Sequence, residues 1–244
     1  MSDKAPTVVL VHGAFAESAS WNGVIESLHG AGVDVIAAAN PLRSVTDDAA
    51  YLRDVIAGLD GPVLLVGHSY GGMVITEAGA DNPNVIGLVY VAAFAPDSGE
   101  SAFQISTLHP GSTLGETLTA YPVSTGGNEL AIRIDAFPGQ FAADLPLPVA
   151  GKMARTQRPV TEYALREGLP TSAPAWQTVP SWFVLAEMDR NIPVAVQRDL
   201  AVRAAARGVR EIEGASHAIA VSRPNEVAET IIEALAVCAA ADAA

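Results

Sequence analysis

Short apolar runs recur along the whole chain, and each run is followed by residues that favour turns. Most of these runs are apolar at nearly every position, which is typical of strands buried on both faces of a parallel sheet. We predict strands over Thr7–Val11, Val33–Ala38, Val63–Val66, Val85–Ala92 and Trp182–Ala186, with a weaker one over Val209–Ile212.

Segments with helical periodicity lie between the predicted strands. Pro193 and Pro224 suit the first turn of a helix, where the missing N–H is not needed. The predicted helices cover Trp21–His29, Asp47–Gly58, Gly72–Ala80, Pro193–Ala206 and Pro224–Ala239. Because strands alternate with helices, the sequence predicts an α/β fold with a mostly parallel, doubly wound sheet.

One long segment breaks this alternation. Residues 96–179 contain nine prolines, with short helical patterns over Pro148–Thr156 and Thr161–Gly168. A loop of this length without structure of its own is uncommon in a compact domain. We therefore predict a helical cap over residues 96–179, inserted into a core domain that residues 1–95 and 180–244 form together.

The composition limits the class of partner. Half of the 244 residues are hydrophobic, and the formal net charge is −13. Nucleic acids and anionic membranes would repel such a protein. The sequence shows neither a signal-peptide pattern nor an apolar stretch of about 18 residues. We expect a cytoplasmic monomer or homodimer, and the helical spacing of Cys238 after Ile231 and Leu235 favours its burial.

A serine lies between glycines directly after a predicted buried strand. The residues GHSYGG follow Val63–Val66 and lead into an apolar helical segment. This strand–turn–helix context is the one in which a G-x-S-x-G motif presents its serine as a nucleophile. Gly214–Ala218 nearly repeats the pattern, but no histidine follows residue 217. We predict Ser69 as the nucleophile.

A serine hydroxyl needs a base that takes its proton. Of the five histidines, His217 lies in a loop between the last predicted strand and the last helix. His12 and His68 lie beside glycines and are predicted to shape the pocket, whereas His29 ends an amphipathic helix. His109, next to a proline in the cap, is a candidate wall residue. We predict His217 as the base.

A carboxylate must orient the base and stabilise its protonated form. Asp189 lies in the loop after the predicted strand Trp182–Ala186 and is our first candidate. Glu187 in the same loop and Asp97 after the preceding strand remain as alternatives.

An acyl-transfer site also needs hydrogen-bond donors for the developing oxyanion. The first strand ends in HGAF, and we predict that the backbone N–H groups of Ala14 and Tyr70 fill this role. No cofactor is expected, and no cluster of residues has convincing metal-ligand spacing. Candidate residues for substrate binding are Phe15, His68, Phe94, His109 and Trp176, and further aromatic wall candidates are Trp21 and Phe103.

These motifs resemble those of the α/β-hydrolase superfamily, in particular small bacterial α/β hydrolases related to the plant esterase and hydroxynitrile lyase group. The similar segments are VLVHGAFAESASW, AANPLRSVTDDAAYL, VLLVGHSYGGMVITEAG, GLVYVAAFAPDSGES, TQRPV, AEMDRNIP and GASHAIAVSRP. The resemblance implies hydrolysis of small carboxylic esters through a Ser-His-Asp triad and an acyl-enzyme. Lyases of the group carry a lysine after the catalytic histidine and a threonine in the oxyanion loop, where this chain has Ala218 and Gly13.

Two other functions stay open at this point. The same triad can pass an acyl group to peroxide, as in perhydrolases and cofactor-free haloperoxidases. A hydrolase fold can also serve as a non-catalytic receptor for a small ligand. Ester turnover that disappears with Ser69 would distinguish the enzyme from the receptor.

Overall fold

The computed structural model describes residues 4–124 and 126–242, with side chains described up to residue 240. Within these residues the strands are β1 (Thr7–Val11), β2 (Val35–Ala38), β3 (Val63–His68), β4 (Val85–Val91), β5 (Leu118–Pro122), β6 (Asn128–Ile132), β7 (Val160–Thr161), β8 (Ser181–Ala186) and β9 (Gly208–Ile212). Six of them form one sheet in the order β2-β1-β3-β4-β8-β9, and every neighbouring pair is parallel. The predicted fold class is confirmed.

The helices occupy the segments between these strands. They are α1 (Asn22–Gly30), α2 (Val45–Ala57), α3 (Gly71–Ala78), α4 (Ala102–Ser106), α5 (Phe137–Phe141), α6 (Leu147–Thr156), α7 (Glu162–Arg166), α8 (Val194–Arg203), α9 (Ile219–Ser222) and α10 (Pro224–Asp242). Short 3₁₀ turns cover Ser18–Trp21, Leu114–Thr117 and Ala175–Gln177. The helices flanking the sheet lie within a few residues of their predicted bounds.

The two faces of the sheet are covered by different sets of helices. Side chains alternate across a strand, so Val9 and Val11 pack in the cluster that contains residues of α2, α3 and α8. Val8 and Leu10 pack on the other face with residues of α1, α9 and α10. Cys238 of α10 is buried in that second cluster, as its spacing predicts. Burial on both faces explains why the strand sequences are apolar at almost every position.

The segment between β4 and β8 differs from a purely helical insertion. It contains α4, α5, α6 and α7, and also a second, antiparallel sheet in the order β5-β6-β7. Most residues of β5 and β6 are exposed or half-buried, so they lack the apolar runs that identified the strands of the main sheet. The bounds 96–179 of the cap stay a prediction.

Two features are absent from the described residues. No helix among them has the length and apolar character needed to cross a membrane. The same residues hold no group of three or more His, Cys, Asp or Glu side chains placed to bind a metal ion.

A buried hydrogen bond ties α2 to the start of α3. The Tyr70 hydroxyl donates to Asp48 Oδ2 at 2.9 Å, and the backbone N–H of Arg43 donates to Asp48 Oδ1 at 3.0 Å. Asp48 and Tyr70 are both 0% exposed. Burial is the main cause that raises the pKa of Asp48 from 3.8 to about 6, and the donated hydrogen bonds oppose it.

This raised pKa predicts how stability depends on pH. The folded chain holds the Asp48 proton more tightly than the unfolded chain, so the stabilisation from this group is complete below about pH 3.8 and lost as the pH rises through about 6. We expect Asp48→Asn, compared with wild type, to gain about 2.4 kcal/mol of unfolding free energy between pH 4 and pH 7. Urea unfolding across this range measures the difference. Asp47→Asn, at an exposed neighbouring position, is the control. If the difference in unfolding free energy between wild type and Asp48→Asn stayed constant with pH, it would contradict the raised pKa of Asp48.

Candidate active site

The nucleophile candidate lies on a sharp bend between β3 and α3. Ser69 has a φ of 53°, in the left-handed region, which costs a non-glycine residue roughly 1–2 kcal/mol. The bend is tight because a Cβ on Gly67 would lie 2.7 Å from the carbonyl carbon of Gly71, and one on Gly72 would lie 2.0 Å from the carbonyl oxygen of Phe94. Only glycine fits at these positions, so the glycines of GHSYGG are explained by backbone packing.

The predicted base and carboxylate are hydrogen-bonded to each other. His217 Nδ1 lies 2.6 Å from Asp189 Oδ2, and both side chains are almost completely buried. An ionised carboxylate only accepts hydrogen bonds, so Nδ1 of a neutral His217 carries the proton and Nε2 has a free lone pair. Nε2 is buried and has no hydrogen-bond partner within the described part of the chain.

The other carboxylate candidates lie elsewhere. Glu187 is exposed and accepts the N–H of Gly214 at 2.8 Å. Asp97 is also exposed, and its carboxylate accepts the N–H of Ser98 at 2.8 Å. Of the three candidate carboxylates, Asp189 is the one that contacts the His217 ring.

Asp189 is held by a set of donors from its own loop and from α8. Its Oδ1 accepts the backbone N–H groups of Asn191 at 2.7 Å and Ile192 at 2.9 Å. Its Oδ2 also accepts from Gln197 Nε2 at 3.0 Å. Gln197 is fully buried, and its Oε1 accepts the N–H of Ala186 at the end of β8 at 3.1 Å. These bonds fix the carboxylate and leave one oxygen directed at His217.

Two side chains contact His217. His68 was predicted to shape the pocket, and Phe141 was not predicted to take part in the site. His68 Nε2 donates to the backbone carbonyl of His217 at 2.9 Å, and the two rings lie 4.7 Å apart. Burial first, and the neighbouring His217 second, lower the pKa of His68 well below 6.5, so its ring is neutral. Phe141 of α5 meets the His217 ring edge-on at 4.8 Å, and its carbonyl accepts the N–H of Ala218 at 2.9 Å. Nothing in the sequence around Phe141 indicates this contact.

Two backbone N–H groups beside Ser69 have no acceptor within the described part of the chain, namely those of Ala14 and Tyr70. The loop after β1 runs against the serine, since a Cβ on Gly13 would lie 2.6 Å from Ser69 Cβ. The next amide is already engaged, because Phe15 N–H donates to Arg158 O at 3.1 Å. Both free N–H groups belong to residues that line the same pocket as Ser69.

That pocket has a volume of about 530 Å³. Phe15, Phe94 and Phe103 are among the residues that line it. The other candidates do not line it, and each has a different environment. His109 Nε2 contacts Asp199 at 2.6 Å near the surface, and Trp176 Nε1 donates to Pro96 O at 2.7 Å.

Trp21 and His68 are also absent from the pocket wall. Trp21 packs edge-on against His68 at 6.3 Å, and His68 in turn packs against His217. His12 is buried in the same region, and its Nδ1 lies 3.0 Å from Gly13 O. Burial is the main cause that lowers the pKa of His12 below 6.5. The histidines beside glycines therefore shape the loops around the site rather than the pocket surface.

Comparison with known proteins identifies the family of the chain. The model of the alpha/beta hydrolase family matches residues 8–230. Norfluorocurarine synthase 2 from a Strychnos species is 27% identical over 248 residues, which cover 92% of this chain and 93% of the relative. Polyneuridine aldehyde esterase from Rauvolfia serpentina is 27% identical over 250 residues, covering 92% and 94%. The pyrethroid hydrolase of Sphingobium wenxiniae is 28% identical over 245 residues, covering 93% and 86%.

Solved structures agree at the level of the fold. The crystal structure of polyneuridine aldehyde esterase has a TM-score of 0.80 at 20% identity, covering 94% of this chain and 99% of that chain. The pyrethroid hydrolase from Sphingobium faniae has a TM-score of 0.74 at 22% identity, covering 96% and 98%. The matched family model spans most of the sequence, and the chain belongs to the alpha/beta hydrolase family.

Proposed function

We propose that this protein is a carboxylic ester hydrolase in which Ser69, His217 and Asp189 form the catalytic triad. The observation that carries the proposal is the buried hydrogen bond between His217 and Asp189, beside a serine on a strained turn. The esterases and hydrolases among the full-length relatives support this class of reaction. The proposed partner is a small-molecule ester.

In the first half of the reaction, Ser69 Oγ attacks the ester carbonyl carbon and its proton moves to His217 Nε2. Asp189 stabilises the imidazolium through Nδ1. The N–H groups of Ala14 and Tyr70 are the proposed donors to the oxyanion, where preorganised donors contribute most to catalysis. The Ser69 hydroxyl is not hydrogen-bonded to Nε2 in this structure, and such catalytic contacts often tighten only with substrate bound.

The tetrahedral intermediate then breaks its bond to the leaving oxygen. His217 Nε2–H gives its proton to that oxygen, the alcohol departs, and an acyl ester on Ser69 remains. In the second half, a water molecule gives a proton to Nε2 and attacks the acyl carbon. Collapse of the second intermediate returns the proton to Ser69 Oγ and releases the carboxylic acid.

We further propose that residues 96–179 act as a cap over this site. More than half of the pocket-lining residues come from this segment, which supports the role. A cytoplasmic location and a monomeric or homodimeric state, both expected from the sequence, stay predictions.

Removing the nucleophile should abolish catalysis without unfolding the chain. We expect Ser69→Ala to lower kcat for an activated ester by roughly four to six orders of magnitude, because the members of a triad act as a unit. Stopped-flow or plate assays with p-nitrophenyl acetate measure the rate, and circular dichroism and thermal melting monitor the fold. A folded Ser69→Ala protein that keeps a tenth of wild-type turnover would refute the proposal.

Changing the carboxylate to an amide should select the wrong histidine tautomer. In Asp189→Asn, an amide N–H directed at Nδ1 would leave the histidine proton on Nε2, which then could not accept the serine proton. We expect kcat to fall about 10⁴-fold. Glu187→Gln, in the same loop and exposed, is the matched control and should stay within threefold of wild type. Equal losses in both variants would argue against Asp189 as the member of the triad.

A further inference from the structure

The main pocket lies on the acyl side of the proposed reaction. Ala14, Ser69 and Tyr70 line it, whereas His217 does not. The alcohol leaves with a proton from His217, so it departs on the histidine side of the reacting carbon. The acyl group is then the part of the ester that extends into the 530 Å³ pocket.

The pocket suits an uncharged acyl group. Its two charged side chains, Glu162 and Arg166, pair with each other at 2.9 Å, and the guanidinium of Arg166 also lies 4.5 Å from the centre of the Phe103 ring. The pair therefore presents no unpaired charge to a substrate. Apolar side chains make up most of the remaining wall, among them Phe94, Leu114, Leu118, Leu130, Leu165 and Ile192.

A second pocket of about 180 Å³ shares a lining residue with the first. It is lined by residues of the turn Ser18–Trp21 and of α6, together with Phe15. Among the described residues, Phe15 is the one that lines both pockets. Phe15 is thus the residue at which the two pockets meet.

Several contacts hold Phe15 in place. It is only 3% exposed, its N–H donates to Arg158 O at 3.1 Å, and its φ is 61°. A bulky residue keeps such left-handed dihedrals only where its surroundings determine them, and such positions cluster at ligand-binding sites. Phe15 therefore acts as a fixed wall rather than a freely rotating side chain.

We propose that Phe15 is the residue that determines acyl-chain specificity, by closing the acyl pocket before it reaches the second pocket. The protein then prefers esters of uncharged, medium-length apolar acids and rejects longer ones. This inference rests on the proposed ester hydrolysis and adds the substrate class and the residue that limits it.

The test is the acyl-chain profile of kcat/KM, measured with p-nitrophenyl esters from acetyl to palmitoyl. In wild type, kcat/KM should rise about fourfold per added methylene while the chain is buried, and fall once it reaches Phe15. In Phe15→Ala the maximum should move to longer chains, and esters beyond the wild-type maximum should gain at least tenfold. Alanine tolerates the left-handed backbone no better than phenylalanine, so the change acts on the side chain.

A second substitution tests whether the effect of Phe15→Ala comes from joining the two pockets or from a general loosening of the site. Ala19 is exposed and lines the second pocket, so Ala19→Trp should fill that pocket from its open side. Alone it should reproduce the wild-type profile, because Phe15 already closes the passage. Combined with Phe15→Ala it should restore the shorter maximum. Phe15→Leu should lie between wild type and Phe15→Ala, and provides a milder variant if the alanine variant melts early.

The outcomes distinguish this inference from the proposed function. Ser69-dependent turnover with the same chain-length maximum in wild type, Phe15→Leu and Phe15→Ala would overturn the inference and leave ester hydrolysis intact. A double variant with Ala19→Trp that keeps the longer maximum would also overturn it. Wild-type protein without Ser69-dependent ester turnover would instead refute the proposed function, and this inference with it.

Discussion

The close approach of β3 and α3 is the constraint on which the candidate site depends. At this junction the backbone leaves no room for a Cβ at Gly67, Gly71 or Gly72, and the chain has to turn through the left-handed Ser69. The unfavourable dihedrals of Ser69 are retained because the two elements are buried on both sides. The turn presents the hydroxyl at the carboxyl edge of the sheet and begins α3 with the N–H of Tyr70, which has no acceptor in the described part of the chain. One packing constraint therefore positions both the nucleophile candidate and one proposed oxyanion donor.

A buried polar network positions the other two members of the proposed triad. Asp189 accepts hydrogen bonds from its own loop and from Gln197, and Gln197 is itself bonded to the end of β8. A buried polar group without a partner costs about 1–3 kcal/mol, so these bonds favour one arrangement of the carboxylate. His217 Nε2 is the exception among these groups, because it is buried without a partner in the described part of the chain. An unpartnered acceptor at this point is what the proposed proton transfer requires.

Local patterns in the sequence predicted the main sheet and the triad candidates, whereas contacts between distant segments could not be predicted. The apolar run Thr7–Val11 matches β1 at both ends because burial on both faces leaves a continuous signal. Gln197 looks like any polar residue of a surface helix, and its burial becomes clear only from its contacts with Asp189. The direction of the Trp176 side chain, whose Nε1 donates to Pro96 O, could not be predicted because the proline-rich sequence around it carries no periodicity. The small sheet of β5, β6 and β7 was missed because most residues of β5 and β6 are exposed or half-buried and form no apolar run.

The most direct test of the account is to identify the residue that becomes covalently modified by an active-site reagent. A fluorophosphonate reacts with a serine that is activated by a histidine and surrounded by oxyanion donors. Intact-mass measurement followed by peptide mapping locates the adduct. The account predicts one adduct per chain, on Ser69, and much slower labelling in His217→Ala. Modification of a different residue, or none under conditions that label a known serine esterase, would contradict it.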